Sequence, residues 1–209
     1  MKKLIVFSAV FFMVIGIHAA SHAQNAQDDF LVGLKLGASI PTGDMGEDFD
    51  TSFMYGIYGE VAYSPKFAFE GTLSRRKFSE SDEGVGTLFP IHLQMSMFPD
   101  VEEEHFGGEK SLTMNELTLN GKVYLLAEGI RPYLTFGVGG YFWKFDIENL
   151  GDHTESDFGV NGGGGLLLPV GERVHLGVDA RYTHVWTQIA ADEQSLKFWN
   201  IVGLIAYGF

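Results

Sequence analysis

Phe30-Leu31-Val32-Gly33-Leu34-Lys35-Leu36-Gly37-Ala38-Ser39-Ile40 alternates without a break. Phe30, Val32, Leu34, Leu36, Ala38 and Ile40 share one parity; Leu31, Gly33, Lys35, Gly37 and Ser39 share the other. Successive side chains of a strand point to opposite faces, so this stretch reads as a strand with one wholly apolar face and one that carries charge. When strand after strand shows that pattern, the apolar face needs an apolar solvent, and a barrel with lipid outside and polar groups inside supplies it.

The pattern repeats outward from this stretch. Segment 53–63 sets Phe53, Tyr55, Ile57, Val61 and Tyr63 against Met54, Gly56, Tyr58, Glu60 and Ala62, and Ser64-Pro65-Lys66 follows as a tight turn. Segment 67–77 sets Phe67, Phe69 and Leu73 against Ala68, Glu70, Thr72, Ser74 and Arg76. Segment 115–125 sets Leu117, Leu119, Val123 and Leu125 against Glu116, Thr118, Asn120, Lys122 and Tyr124. Segments 133–143, 158–168 and 174–184 are richer in glycine and alternate more faintly. The last segment, 199–209, places Trp199, Ile201, Ile205, Tyr207 and Phe209 on one parity, although Val202, Leu204 and Ala206 make its other face apolar as well. These are eight candidate strands, each about the 9 to 11 residues a tilted strand needs to cross a bilayer. The predicted fold is all-β, an eight-stranded antiparallel up-and-down transmembrane barrel.

The connections between these windows are 41–52, 64–66, 78–114, 126–132, 144–157, 169–173 and 185–198, alternately long and short. Long extracellular loops and short periplasmic turns alternate in this way in outer-membrane barrels. Before the first strand, Met1-Lys2-Lys3, the apolar run Leu4 to Ile17 and Ser21-His22-Ala23 read as a signal peptide, residues 1–23, leaving 24–209 as the barrel domain. The formal net charge is −13, a sign that disfavours nucleic acid. There is no cysteine, so disulfides and thiolate metal sites are excluded.

The inward parity carries Lys35, Glu60, Glu70, Arg76, Glu116, Lys122, Asp179 and Arg181, four bases and four acids. Unpaired buried charge is costly, so these groups are expected to pair with one another in a packed lumen. One register of the third and fourth strands sets Glu70 opposite Lys122 and Arg76 opposite Glu116, and a tight second hairpin sets Glu60 opposite Glu70. A polar belt of Lys35, Glu60, Glu70 and Lys122 follows. Inward glycines such as Gly137, Gly139, Gly163, Gly165 and Gly177 are expected to make room for side chains from the opposite wall.

The mature chain resembles the eight-stranded outer-membrane barrel family of OmpA and OmpX. The resemblance is carried by Phe30-Leu31-Val32-Gly33-Leu34-Lys35-Leu36-Gly37, by Arg131-Pro132-Tyr133-Leu134-Thr135-Phe136-Gly137-Val138-Gly139-Gly140-Tyr141, and by the glycine-rich stretch Phe158 to Leu166. It implies an integral protein of the Gram-negative outer membrane. Its terminal assembly signal, two hydrophobic residues at alternate positions read by the barrel-assembly machinery, is matched by Tyr207 and Phe209, with Gly203 one residue out of place. Arg181-Tyr182-Thr183-His184-Val185-Trp186 is similar to the catalytic region of lipid A deacylase barrels, but Trp186 stands where that family has its nucleophilic serine, and the next candidate, Ser195, lies in the loop window.

No catalytic residue, cofactor or metal ligand is therefore assigned. His105 beside Glu102, Glu103 and Glu104 lacks the spacing of a cation loop. Arg75 and Lys77 lie on the lipid parity at the outer end of the third strand, where they would either contact lipopolysaccharide phosphates or merely extend toward the headgroups. The stretch 85–99 is apolar for a loop and would fold over the mouth, extend the strands or meet an extracellular partner. The expected role is structural or loop-mediated interaction by a monomer in lipid. The alternatives are a narrow pore or hydrophobic-ligand carrier of the OmpW kind, and a soluble lipocalin-like barrel with the opposite polarity.

Overall fold

The computed structural model describes residues 30–81, 110–147, 151–189 and 192–209. The expected signal peptide, the run Glu102 to His105 and the apolar stretch 85–99 lie outside the described residues. Eight strands follow in order: β1 (Phe30–Pro41), β2 (Ser52–Ser64), β3 (Phe67–Ser79), β4 (Lys110–Tyr124), β5 (Arg131–Ile147), β6 (Gly151–Pro169), β7 (Val174–Ile189) and β8 (Asp192–Gly208). Each pairs antiparallel with the next, and β8 pairs with β1 to close the barrel. A short helix, α1 (Asp44–Asp48), lies between β1 and β2.

The pairing fixes the stagger. Followed once round the wall from Leu31 through Glu60, Glu70, Asn120, Gly137, Asn161, Thr183 and Phe198, it returns to β1 at Pro41, ten residues further along. With a rise of about 3.4 Å per residue and strands about 4.8 Å apart, this stagger tilts the strands by about 40°. The stripe from Phe30 to Ile40 then climbs about 26 Å, the height of the apolar band on an outer-membrane barrel. That stripe faces outward: Leu34, Leu36, Phe53, Ile57 and Phe136 are exposed, while Lys35, Glu60, Glu70 and Lys122 are buried. A lipocalin-like barrel would show the reverse.

Two expected cross-strand pairings need correction. Glu70 pairs with Asn120 rather than Lys122, and Arg76 with Met114 rather than Glu116, so the β3–β4 register is two residues from the expected one. A shift of two keeps every side chain on its face, and long side chains reach diagonal neighbours, so the intended partners still meet. Glu60 does stand opposite Glu70.

The loops expected at 144–157 and 185–198 are largely strand. β5 and β6 pair out to Ile147 and Gly151, and β7 and β8 out to Ile189 and Asp192. Above the membrane the polarity inverts. Tyr141, Trp143, Phe145, Val185, Leu196 and Phe198 point inward into one buried cluster, while Lys144, Asp146 and Asp152 point outward.

The lumen is therefore layered. An apolar cluster at the outer end joins those side chains to Phe78, Leu112 and Met114 and is capped by Met45 of α1 and by Phe49. A second cluster, with Leu31, Tyr58, Tyr124, Tyr133 and Leu167, closes the periplasmic end. The charges lie between. Inward glycines make room for neighbouring strands rather than for the opposite wall. A Cβ on Gly165 would lie 2.5 Å from the Tyr133 hydroxyl, and one on Gly137 would lie 2.0 Å from Asn120 Oδ1.

Candidate functional site

The alternation of β1 to β4 and β7 aims all eight predicted charges into the barrel, where each is at most 6 % exposed. Glu70 is the hub. Its carboxylate accepts from Lys35 at 2.7 Å, from Arg181 at 2.8 Å and from Thr72 at 2.9 Å, and Lys122 Nζ lies 2.6 Å away. Lys122 also donates to Glu60 at 2.7 Å, and Glu60 accepts from the Tyr124 hydroxyl at 2.5 Å. Arg181 donates to Asp179 at 2.7 Å, and Asp179 accepts from the Tyr133 hydroxyl at 2.6 Å. Three cations thus meet three carboxylates in one layer, joined across the barrel. Lys122 Nζ also lies 4.6 Å from the centre of the Tyr133 ring, and Lys35 Nζ lies 5.0 Å from that of Tyr58, both within cation–π range.

One level up, Arg76 donates to Glu116, to Asn200 Oδ1 at 2.8 Å and to Ser74 at 3.0 Å. Ser39 donates to the same Asn200 oxygen at 2.6 Å, and the Arg76 guanidinium lies 4.6 Å from the centre of the Phe198 ring. Between the two charged layers is a cavity of about 10 Å³ lined by Lys35, Thr72, Glu116, Asn161, Arg181 and Asn200. That is about the room one water needs.

Sequence parity located the charges but not the groups that complete them: Tyr124 and Tyr133, which hold Glu60 and Asp179, and Asn200, which bridges Ser39 and Arg76. The signal was present, since Tyr124 shares the parity of Lys122, and Asn200 is a polar residue on the inward side of an otherwise apolar strand. Met45 carried no signal, because a five-residue helix in a loop has no periodicity to read.

On the outer wall, Arg75 and Lys77 project outward on β3, Arg75 opposite Tyr55 and Asn115 and Lys77 opposite Thr113. Tyr207 and Phe209 stand at the periplasmic end with ring centroids 5.0 Å apart, and Phe209 N donates to Phe30 O at 3.0 Å. His184 faces outward, its ring edge-on to Trp186 with centroids 4.8 Å apart, and across the strand from Lys197. Ser195 is not in a loop as expected: it pairs with Trp186 on β8. Among the described residues no hydrogen bond joins His184 to a hydroxyl, and no group of three or more His, Asp or Glu could hold a metal.

Residues 8–209 match the family model described as the outer membrane protein beta-barrel domain. No curated protein matches the sequence. Among solved structures, the chain is similar to the Neisserial surface protein A, with a TM-score of 0.60 at 11% identity over 87% of this chain and 97% of that one. It is similar to OprG of Pseudomonas aeruginosa, at 0.52 and 13% identity over 88% and 99%. A major outer membrane protein of Thermus thermophilus gives 0.50 and 13% over 86% and 99%. At these identities the likeness is one of fold. With the family match spanning nearly the whole sequence, the chain belongs to the outer membrane protein beta-barrel domain family and is integral to the outer membrane.

Proposed function

We propose that the protein is a closed, non-enzymatic barrel that acts through what it displays at the outer surface, not by passing or transforming a solute. The observation that carries this reading is the layering of the lumen. A neutral, hydrogen-bonded charge layer fills the middle, and apolar clusters close both ends. A pore needs a continuous wet path, and a carrier needs an apolar cavity of several hundred Å³; the cavity between the charged layers measures about 10 Å³ and is lined chiefly by charged and polar residues. The wall above the membrane, in contrast, is built from paired strands with polar outward faces, a rigid support for recognition.

The test is reconstitution of purified protein into planar bilayers and vesicles, with a known porin as positive control. The expected result is no steady conductance and no uptake of small solutes. Stable single-channel steps, or saturable uptake of an apolar solute, would overturn the reading.

A further inference from the structure

The described cations differ in where their partners lie. Lys35, Arg76, Lys122 and Arg181 are paired inside the barrel, Lys110 is paired with Glu80, and Lys144 with Asp146 and Asp152. Arg75 and Lys77 form no ion pair with a described residue, although the chain has 27 acidic residues against 14 lysines and arginines. Lys66, Arg131 and Lys197 form none either, so what sets Arg75 and Lys77 apart is their place side by side on one outward stripe at the outer end of β3.

Their position says where an anion would meet them. The outward stripe of β3 reads Phe67, Phe69, Gly71, Leu73, Arg75, Lys77, so it turns from apolar to cationic in one step at the outer end. Tyr55 stands across from Arg75 with Phe53 stacked on it, ring centroids 6.4 Å apart, as interfacial aromatics do at the edge of the apolar band. The strand tilt puts Lys197, three strands away on β8, within about 3 Å of the height of Lys77, and Trp199 lies just below it. Arg75 and Lys77 are two residues apart on one face, about 7 Å along the strand, close enough for both arms to reach one phosphate.

We infer that Arg75 and Lys77 form a clamp for a phosphate of the anionic glycolipid in the outer leaflet, with the guanidinium as the bidentate partner and the ammonium as a second point charge. The clamp holds a lipid against the β2–β3 flank. The inference depends on the membrane setting and not on whether the lumen conducts.

The experiment uses the full chain purified in detergent, stripped of lipid and titrated with lipopolysaccharide bearing its lipid A phosphates, with bound lipid counted by native mass spectrometry. Wild type is expected to retain the glycolipid, and the R75Q/K77Q variant to bind it about tenfold or more weakly. Wild type should lose affinity to the same extent for lipopolysaccharide whose phosphates have been removed, an arm that needs no variant to fold. K144Q, whose lysine is paired with Asp146 and Asp152, should bind as wild type does. Heat-modifiable migration checks that each variant is a closed barrel. Equal binding by wild type and R75Q/K77Q would overturn the inference, as would equal binding of the dephosphorylated glycolipid or of phosphatidylglycerol vesicles.

Discussion

Glu70 is the residue on which the interior turns, because three cations face it and its side chain is fully buried. Glu70→Gln keeps the volume but leaves Lys35, Lys122 and Arg181 opposed by Glu60 and Asp179 alone, one uncompensated buried charge. Breaking a buried pair in this way costs about 3–5 kcal/mol. Unfolding by urea in lipid vesicles, followed by tryptophan fluorescence, should show the stability fall by that amount. The contrast is Lys144→Gln. Lys144 lies 3.1 Å from Asp146, but their side chains are 44% and 45% exposed, and such pairs add little to stability. Its midpoint should not move. If the two variants behaved alike, the charge layer would not be holding the barrel together. At this scale the sequence was informative to a definite depth. Period-two alternation places a residue inside or outside, and so identified Glu70 and Lys122 as inward. It cannot say which inward groups touch, since that depends on stagger, and it therefore missed the hydroxyls of Tyr124 and Tyr133.

Among the elements, β5–β6 and β7–β8 show why the number of strands is legible in the sequence and their boundaries are not. The apolar outward stripe that marks each strand in the sequence ends where the lipid ends. Beyond it the chain keeps its period but exchanges its faces: Tyr141, Trp143 and Phe145 pack inward while Lys144 and Asp146 meet water. A register that depends on turn geometry and diagonal contacts was likewise legible only to within two residues. If the upper segments are strands and not loops, their amides are held in ladder bonds. Hydrogen exchange in detergent should therefore leave the amides that pair β5 with β6 in 143–146 and 152–155 protected far longer than unstructured sequence, although both segments lie outside the bilayer. Exchange at the rate of free peptide would show that these segments do not form a stable sheet.

For the molecule as a whole, the constraint is that the interior sum to zero. A barrel of eight strands is just wide enough for side chains to fill, so whatever points inward is dehydrated and must find its counter-charge there. The two middle layers hold four bases and four acids, so the net charge of −13 belongs to the rest of the chain, Asp48 and the inward Asp157 at the outer end included. What stability demands is then neutrality and packing, not any particular ion pair, and the Arg76–Glu116 pair tests this because it stands apart from the Glu70 hub. Arg76→Met alone strands the Glu116 carboxylate and should cost about 3 kcal/mol or more. The double variant Arg76→Met, Glu116→Leu removes both charges in a region already bounded by Phe198 and Met114, and its stability to urea should lie within about 1 kcal/mol of wild type. Asn200 would keep its bond from Ser39. A double variant as unstable as the single one would mean that the pair supplies something specific, an aligned polar contact between the charged layers, and that charge balance alone does not explain the inward residues.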